Sequence, residues 1–438
     1  MSVPSLPARA GVARSAAKRT TGPAFLQPAC RLYCRPMPRS PQLCLSTIFV
    51  SWSHTMGIPK ENWFTLEEYQ RRLAAARTEM AAREIDVLLV FGAGNVFYLT
   101  GYNSVNSWDF QCCIVPDSGD PILLIFNFEL GRFLASAWLS EPALYTAQDD
   151  PVASLVNLLD DQNLRNRRLG IEENSPNLGV KNYRRLREML AGSQWTDASG
   201  LVDEVRLVKS EAEIAYMREA GRLTRLGAEA ALAAVAEGVH DHAVASAAYE
   251  VMRCNGSDFM CIEPIVAAGY RSGLAHSTVG HIPIEHGDSV FIELGACVRR
   301  YTAPIMRTTV VGPAPPERQE LNDAAQVAVQ TIVETARAGV PTSDVAEAAL
   351  QKAIKPIEDR IQFHYNFGYS VGIGFPPDWL EPIHFFIQLH NHAPLQAGMT
   401  FHLPFTLRVL GEYGAGTSET ILITESGCEV LTRDQAAS

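Results

Sequence analysis

The chain has 438 residues, 47% of them hydrophobic and 19% charged, a composition that can fill two ordinary domain cores and is not that of a disordered chain. A formal charge of −11 argues against nucleic acid as a partner, because phosphate binding calls for clustered lysine and arginine. Nine cysteines are scattered along the chain without a CxxC pair, which reads as reduced thiols of a cytoplasmic protein rather than a zinc site. No apolar run reaches the roughly 18 residues of a membrane span.

Residues 1–55 hold seven Arg or Lys, no acid, and much Ser, Ala and Pro. Without them the chain has 30 basic against 48 acidic residues, a net charge of −18. Such a start resembles an organellar transit peptide; the plainer reading, preferred here, is a mis-called start with translation beginning at Met56. Either way the segment is expected to be a non-structural extension.

Ordered structure is expected from Thr65. Thr65 and Glu68 form a capping-box pattern, and Leu66, Tyr69, Leu73, Ala76 and Met80 recur at helical spacing. The short apolar runs 86–91, 111–115 and 121–126 read as buried strands, and a fourth strand at 169–172 precedes a helix around 183–190. Strands alternating with helices predict an α/β domain over 60–204. A second capping box, Ser210 with Glu213, then opens a long Ala-rich helix and a second domain over 205–432.

The second half repeats itself. Gly238-Val239, four residues, and Val244-Ala245-Ser246-Ala247-Ala248 return 101 residues later as Gly339-Val340, four residues, and Val345-Ala346-Glu347-Ala348-Ala349. Each copy has a long helix before it and strands after it, at 289–293 and 307–311 in the first and at 399–403 and 420–424 in the second. Two helix–helix–hairpin units related by a pseudo-twofold would set their strands side by side over a common crevice.

The repeat, with the phrases at 95–102 (NVFYLTGY), 205–210 (VRLVKS), 287–295 (GDSVFIELG) and 306–312 (MRTTVVG), resembles the pita-bread fold of creatinases, prolidases and methionine aminopeptidases over about residues 65–430. The resemblance implies a creatinase-like N-terminal α/β domain followed by an α+β catalytic domain. It also implies five metal-ligand positions in the metallopeptidases of the group. Carried over one by one, these fall on Glu293, Pro304, Tyr369, Pro404 and Ser418, the last with Glu419 directly after it. One carboxylate, a tyrosine and two prolines cannot repay the dehydration of divalent ions, so no metal and no other cofactor is expected.

Further phrases, GYSVGIGFPPDW at 368–379, GMTFH at 398–402, and Arg300-Tyr301 with Pro304 and Arg307-Thr308, resemble ectoine hydrolases, metal-free members that open a cyclic amidine to acetylated diaminobutyrates. The likeness departs over 381–397 and after His402. It implies a metal-independent hydrolase of a C–N bond in a small zwitterion, a homodimer, and a deacetylase in the same pathway.

Such chemistry needs a group to hold the amidinium, a base for water and a proton for the leaving nitrogen. Glu293 is the first candidate: a carboxylate pairs with N–H groups, burial raises its pKa toward the working range, and it can act as base or as nucleophile. The plain alternative is a salt bridge to Arg300 or Arg307. By the resemblance His276, eleven residues before Gly287, takes the proton-transfer role, which suits imidazole. Tyr369, at an old ligand position, could donate a phenolic hydrogen bond. His402 lies one residue before the position expected to mirror Glu293, and strand alternation forbids it and Leu403 from both pointing inward. Glu419 could replace a lost carboxylate. Asp378 and Tyr301 belong to the phrases shared with ectoine hydrolases, and Trp108 lies where creatinase-like dimers reach into the partner's site; these three are expected to contact substrate. His240-Asp-His242 reads as a helix entry and His390-Asn-His392 as a loop cluster. Two other readings stay open: a different C–N hydrolase or Xaa-Pro peptidase-like protein, and a non-catalytic binding protein with the same pocket.

Overall fold

The computed structural model describes residues 57–381 and 385–434. The extension at 1–55 lies outside them. The expected strands appear as β1 (Val87–Val90), β2 (Cys112–Pro116) and β3 (Ile122–Phe126), followed by β4 (Ala143–Tyr145), β5 (Leu169–Ile171) and β6 (Trp195–Asp197). They form one mixed sheet in the order β4-β3-β2-β1-β5-β6, with β1 parallel to β5 and antiparallel to β2. The unbroken apolar run of β1 follows from burial on both faces. Leu88 and Val90 pack with helices α1 (Leu66–Ala82) and α2 (Ala93–Thr100), while Val87 and Leu89 pack with α4 (Pro151–Asp161) and α5 (Val180–Met189). Between these lies a short α3 (Leu130–Ser136), and α6 (Leu201–Leu207) leads out of the domain.

Ser210 caps the long helix α7 (Glu211–Ala234) with both arms of a capping box in place. At Thr65, by contrast, the side chain accepts from Glu68 N–H, while the Glu68 carboxylate is drawn to Arg71, Arg72 and Ser210. Ser210→Ala is expected to cost about 1 kcal/mol, read as a lower urea midpoint at unchanged slope. A cost below a few tenths would show the cap to be idle.

The repeat is structural. Helices α7 and α8 (Asp241–Cys254) cover the antiparallel strands β7 (Ile265–Ala268), β8 (Ser289–Leu294) and β11 (Ile305–Val310), β8 pairing both others; the short β9 (Cys297–Val298) and β10 (Tyr301–Thr302), which follow β8 in the chain, join the sheet of the other half. Helices α9 (Pro316–Thr335) and α10 (Thr342–Ala349) cover β12 (Gly368–Phe375), β15 (Thr400–His402) and β18 (Thr420–Ile423), paired in the same order and sense. The short β13 (Asp378–Leu380) and β14 (Phe386–Ile387) add to β12, a hairpin of β16 (Phe405–Val409) and β17 (Tyr413–Thr417) follows β15, and β19 (Cys428–Val430) closes the edge.

Gly238 and Gly339, at φ 80° and 84° in the left-handed region that favours glycine, make the same turn, donating to the carbonyls of Ile284 and Leu395. Matching Ile284 to Leu395 sets Glu293 opposite Pro404. His402 therefore lies two residues, not one, before the mirror position. The alternation argument still holds: Leu403 packs in the core under α9 and α10, and His402 points the other way. No described helix is long and apolar enough to cross a membrane.

Candidate active site

Glu293 stands near the end of β8, half-buried, facing Met306 across one ladder and Ile265 across the other. No described group donates a hydrogen bond to its carboxylate or lies within salt-bridge distance. The two arginines considered as its partners are committed elsewhere. Arg300 donates to Asn103 and Ser104 of the N-terminal domain, and Arg307 to Glu419 and to the carbonyls of Met306 and Ser418. Burial pushes the Glu293 carboxyl up to about 7, with the positive charge of Arg408 acting against the rise.

Tyr369 at the start of β12 and His402 at the end of β15 are direct cross-strand neighbours. The Tyr369 hydroxyl lies 2.6 Å from His402 Nδ1 and accepts from Trp379 Nε1 at 3.0 Å. The other ring nitrogen, Nε2, is 2.6 Å from Ser418 Oγ, which also accepts from Met306 N–H at 2.6 Å. Burial drives His402 down to about 3, assisted by nearby His364, so its ring is neutral. Burial, and after it the charge of Glu293, holds the Tyr369 phenol well above its ordinary range.

Two residues outside the phrases read from sequence complete the cluster. His364 presents Nε2 to the Pro404 carbonyl at 3.0 Å, and burial lowers it to about 4. The charges of Arg408 and His276 also lower it. Arg408, half-buried on β16, donates Nη1 to Thr406 but leaves Nε without a partner. Its guanidinium stands 5.9 Å over the Phe291 ring, which fits because residue 416 is glycine: a Cβ there would come within 2.3 Å of Phe291. The only sequence signal for His364 and Arg408 was a histidine and an arginine in segments bordering the strands. His276 is exposed, at φ 54° in the loop after the turn Gly269–Gly273.

Other expected site residues go elsewhere. Glu419, in the link between β17 and β18, accepts from Arg307, Arg433 and Thr432, so its carboxylate is engaged there. Tyr301 is fully buried at the junction of the two domains, donating to Glu213 and receiving Arg72. It belongs to the packing there, not to the crevice. Trp108, 73% exposed, and Asp378, which accepts from Leu380 N–H, line a separate cavity of about 660 Å³ together with Asn177 and Pro377. His240 takes the N-cap position of α8, in keeping with a helix entry, though its side chain makes no capping bond, and His392 bonds Ser343 on α10.

The five carried-over ligand positions can be tested against the donors they offer. The Pro304 carbonyl accepts from Thr420, the Pro404 carbonyl is held by His364, and Tyr369 and Ser418 are both bonded to His402. Glu293 alone offers a free carboxylate, and among the described residues no three His, Cys, Asp or Glu side chains are grouped to hold an ion. This donor set does not fit a pair of divalent metals.

Residues 215–425 match metallopeptidase family M24, and residues 72–208 match the creatinase/prolidase N-terminal domain. The ectoine hydrolase of Halomonas elongata is 31% identical over 389 residues, covering 84% of this chain and 96% of that one. An Xaa-Pro dipeptidase of Pyrococcus horikoshii is 26% identical over 267 residues, 61% of this chain and 73% of its own. In structure, the prolidase of Pyrococcus horikoshii superposes with a TM-score of 0.71 at 22% identity, covering 83% of this chain and 99% of that one, a likeness of fold.

Proposed function

The chain belongs to the M24 and creatinase/prolidase family of hydrolases, which act on carbon–nitrogen bonds, and from that premise we propose a metal-independent enzyme that opens a small zwitterionic cyclic amidine such as ectoine. The observation that carries this reading is Glu293: a half-buried carboxylate with no hydrogen-bond or salt-bridge partner among the described residues and a pKa near working pH, beside positions that lack the donors for metal. An unpaired anion in such a place suits a cationic substrate group, and an amidinium offers it paired N–H donors. Arg408, with its unpartnered Nε, supplies the complementary charge for the substrate carboxylate.

Glu293 near neutral pH is half ionised, the state in which a base can take a proton from water and later return it. Water then adds to the amidine carbon, the ring C–N bond breaks, and the departing nitrogen takes up a proton. In this reading the Tyr369 hydroxyl donates to that nitrogen or to the charge that develops beside it.

Purified protein incubated with ectoine, hydroxyectoine, creatine and Xaa-Pro dipeptides is expected to open the amidines alone. Activity should be unchanged by chelator, and elemental analysis should find less than one equivalent of Mn, Co, Fe or Zn per chain. Cleavage of an Xaa-Pro dipeptide, lost with chelator and restored by Mn, with no turnover of either amidine, would overturn the reading.

A further inference from the structure

The four hydrogen bonds that run from Trp379 through Tyr369, His402 and Ser418 to Met306 do not use every proton available to them. Trp379 Nε1 and Met306 N–H can only donate inward, one at each end. The phenol, the neutral imidazole and the serine hydroxyl bring one proton each, so five protons face four bonds. One hydroxyl proton is always left over. If His402 carries its proton on Nε2, Tyr369 donates to Nδ1 and the spare proton sits on Ser418. If it carries the proton on Nδ1, Ser418 donates to Nε2 and the spare proton sits on Tyr369. The two arrangements make the same four bonds and differ only in direction.

We propose that Tyr369, His402 and Ser418 form a neutral two-way proton wire whose ends both serve the Glu293 crevice. Ser418 is bonded to Met306, the residue paired with Glu293 between β8 and β11, while Tyr369 stands on the neighbouring half of the pseudo-twofold. His402 and Ser418 are both 0% exposed, so bulk water is kept off the wire and its Ser418 end exchanges a proton with the crevice only when a water is admitted to it. In one pass Tyr369 releases its hydroxyl proton, takes the one on Nδ1, His402 takes the Ser418 proton at Nε2, and Ser418 takes a proton from the crevice. No charge remains on any of the three, and the histidine changes tautomer.

This rests on reading the crevice as hydrolytic. There, Glu293 takes a proton from the attacking water, Tyr369 delivers one to the departing nitrogen, and Ser418 is refilled by the proton that Glu293 holds, so that water loses one proton and the amine gains one. After product leaves, a pass in the reverse direction through crevice water resets the wire. His402 thus acts through Tyr369 and never meets substrate, which replaces the substrate contact expected from sequence.

Nitrogen-15 NMR of the full chain labelled at histidine tests the wire without substrate. His402 is expected to be neutral, with both ring nitrogens at averaged shifts between the protonated and bare positions, because the two tautomers exchange. A cationic ring or a single fixed tautomer would overturn the wire, whatever the substrate. On an amidine opened by the wild type, His402→Gln can hold one bond as donor and one as acceptor but cannot switch them. It should keep KM within about twofold and lose about ten- to a hundredfold in kcat, within the usual span of acid–base effects. The curved dependence of kcat on deuterium fraction expected of the wild type should become linear in this variant. Full kcat in a folded His402→Gln enzyme, or a linear wild-type dependence, would also sink the proposal. Failure of the wild type to open any amidine would refute the assigned reaction and leave the NMR result standing.

Discussion

Glu293→Gln is expected to lower kcat on a cyclic amidine by about 10²–10⁴-fold, the range of a lost general acid–base group. The amide keeps the shape of the side chain and can still accept a hydrogen bond, but it has neither charge nor basicity. Folding should survive, because no described protein group depends on the carboxylate. Stability should in fact improve at alkaline pH. The folded-state pKa of about 7 lies above the ordinary 4.5, so between those values the native state holds a proton that the unfolded chain has released. Stability contributed by the neutral acid is thus complete below about pH 4.5 and lost as pH rises through 7. A shift of this size corresponds to about 3 kcal/mol, and solvent reaching the half-buried group reduces it to roughly 1–3 kcal/mol. Denaturation at about pH 4 and pH 8 should find the variant equal to wild type in the first and more stable in the second. A variant that keeps most of its kcat would show the carboxylate to be inessential to the chemistry. If Glu293 attacks the amidine carbon itself and water then attacks the Glu293 carboxyl carbon, a single turnover in ¹⁸O-labelled water would leave label in its side chain.

The second large effect is on stability. Arg72 on α1 is fully buried, donating to Glu68 at 2.9 Å and to the Tyr98 carbonyl at 3.2 Å, and it lies 3.7 Å from Glu213 on α7. Its guanidinium sits 4.0 Å over the Phe64 ring and 4.5 Å over Tyr98. Arg72→Met fills much of the same volume but leaves buried Glu213 in the domain junction with Tyr301, the Ser210 amide and, at 4.0 Å, the half-exposed Arg71 as its remaining partners. Removing one partner of a buried pair costs about 3–5 kcal/mol, because the remaining charge has lost its compensation. Urea unfolding should show a loss of that size, and Arg72→Met with Glu213→Gln should recover part of it. A loss under about 1 kcal/mol would mean that the stacked rings, not the charges, hold the junction.

The junction also shows what was hidden from a linear reading. The phrase that Tyr301 shares with ectoine hydrolases points to a substrate contact. The Tyr301 hydroxyl instead meets Glu213, 88 residues away. Glu419 and Ser418 pose the same problem at closer range. Ser418 falls at the carried-over ligand position and Glu419 directly after it, and only the path of the chain beside Met306 decides that Ser418 bonds His402 while Glu419 turns to Arg307 and Arg433.

Local and periodic features, by contrast, were legible from the residues alone. The apolar runs of β1 to β3 must be covered on both faces, the Ser210 box needs only four consecutive residues, and the repeat at 101 residues announces two equivalent helix pairs. The surviving carboxylate at Glu293 could be named for the same reason, since it lies within one short phrase. Tertiary structure alone brought Arg408 and His364 to the Glu293 crevice and joined Tyr369 to Ser418 through His402. Those meetings depend on how strands separated by tens to more than a hundred residues register against each other. A slip of one residue in any ladder turns each of these side chains to the opposite face, and no local propensity records which register is taken.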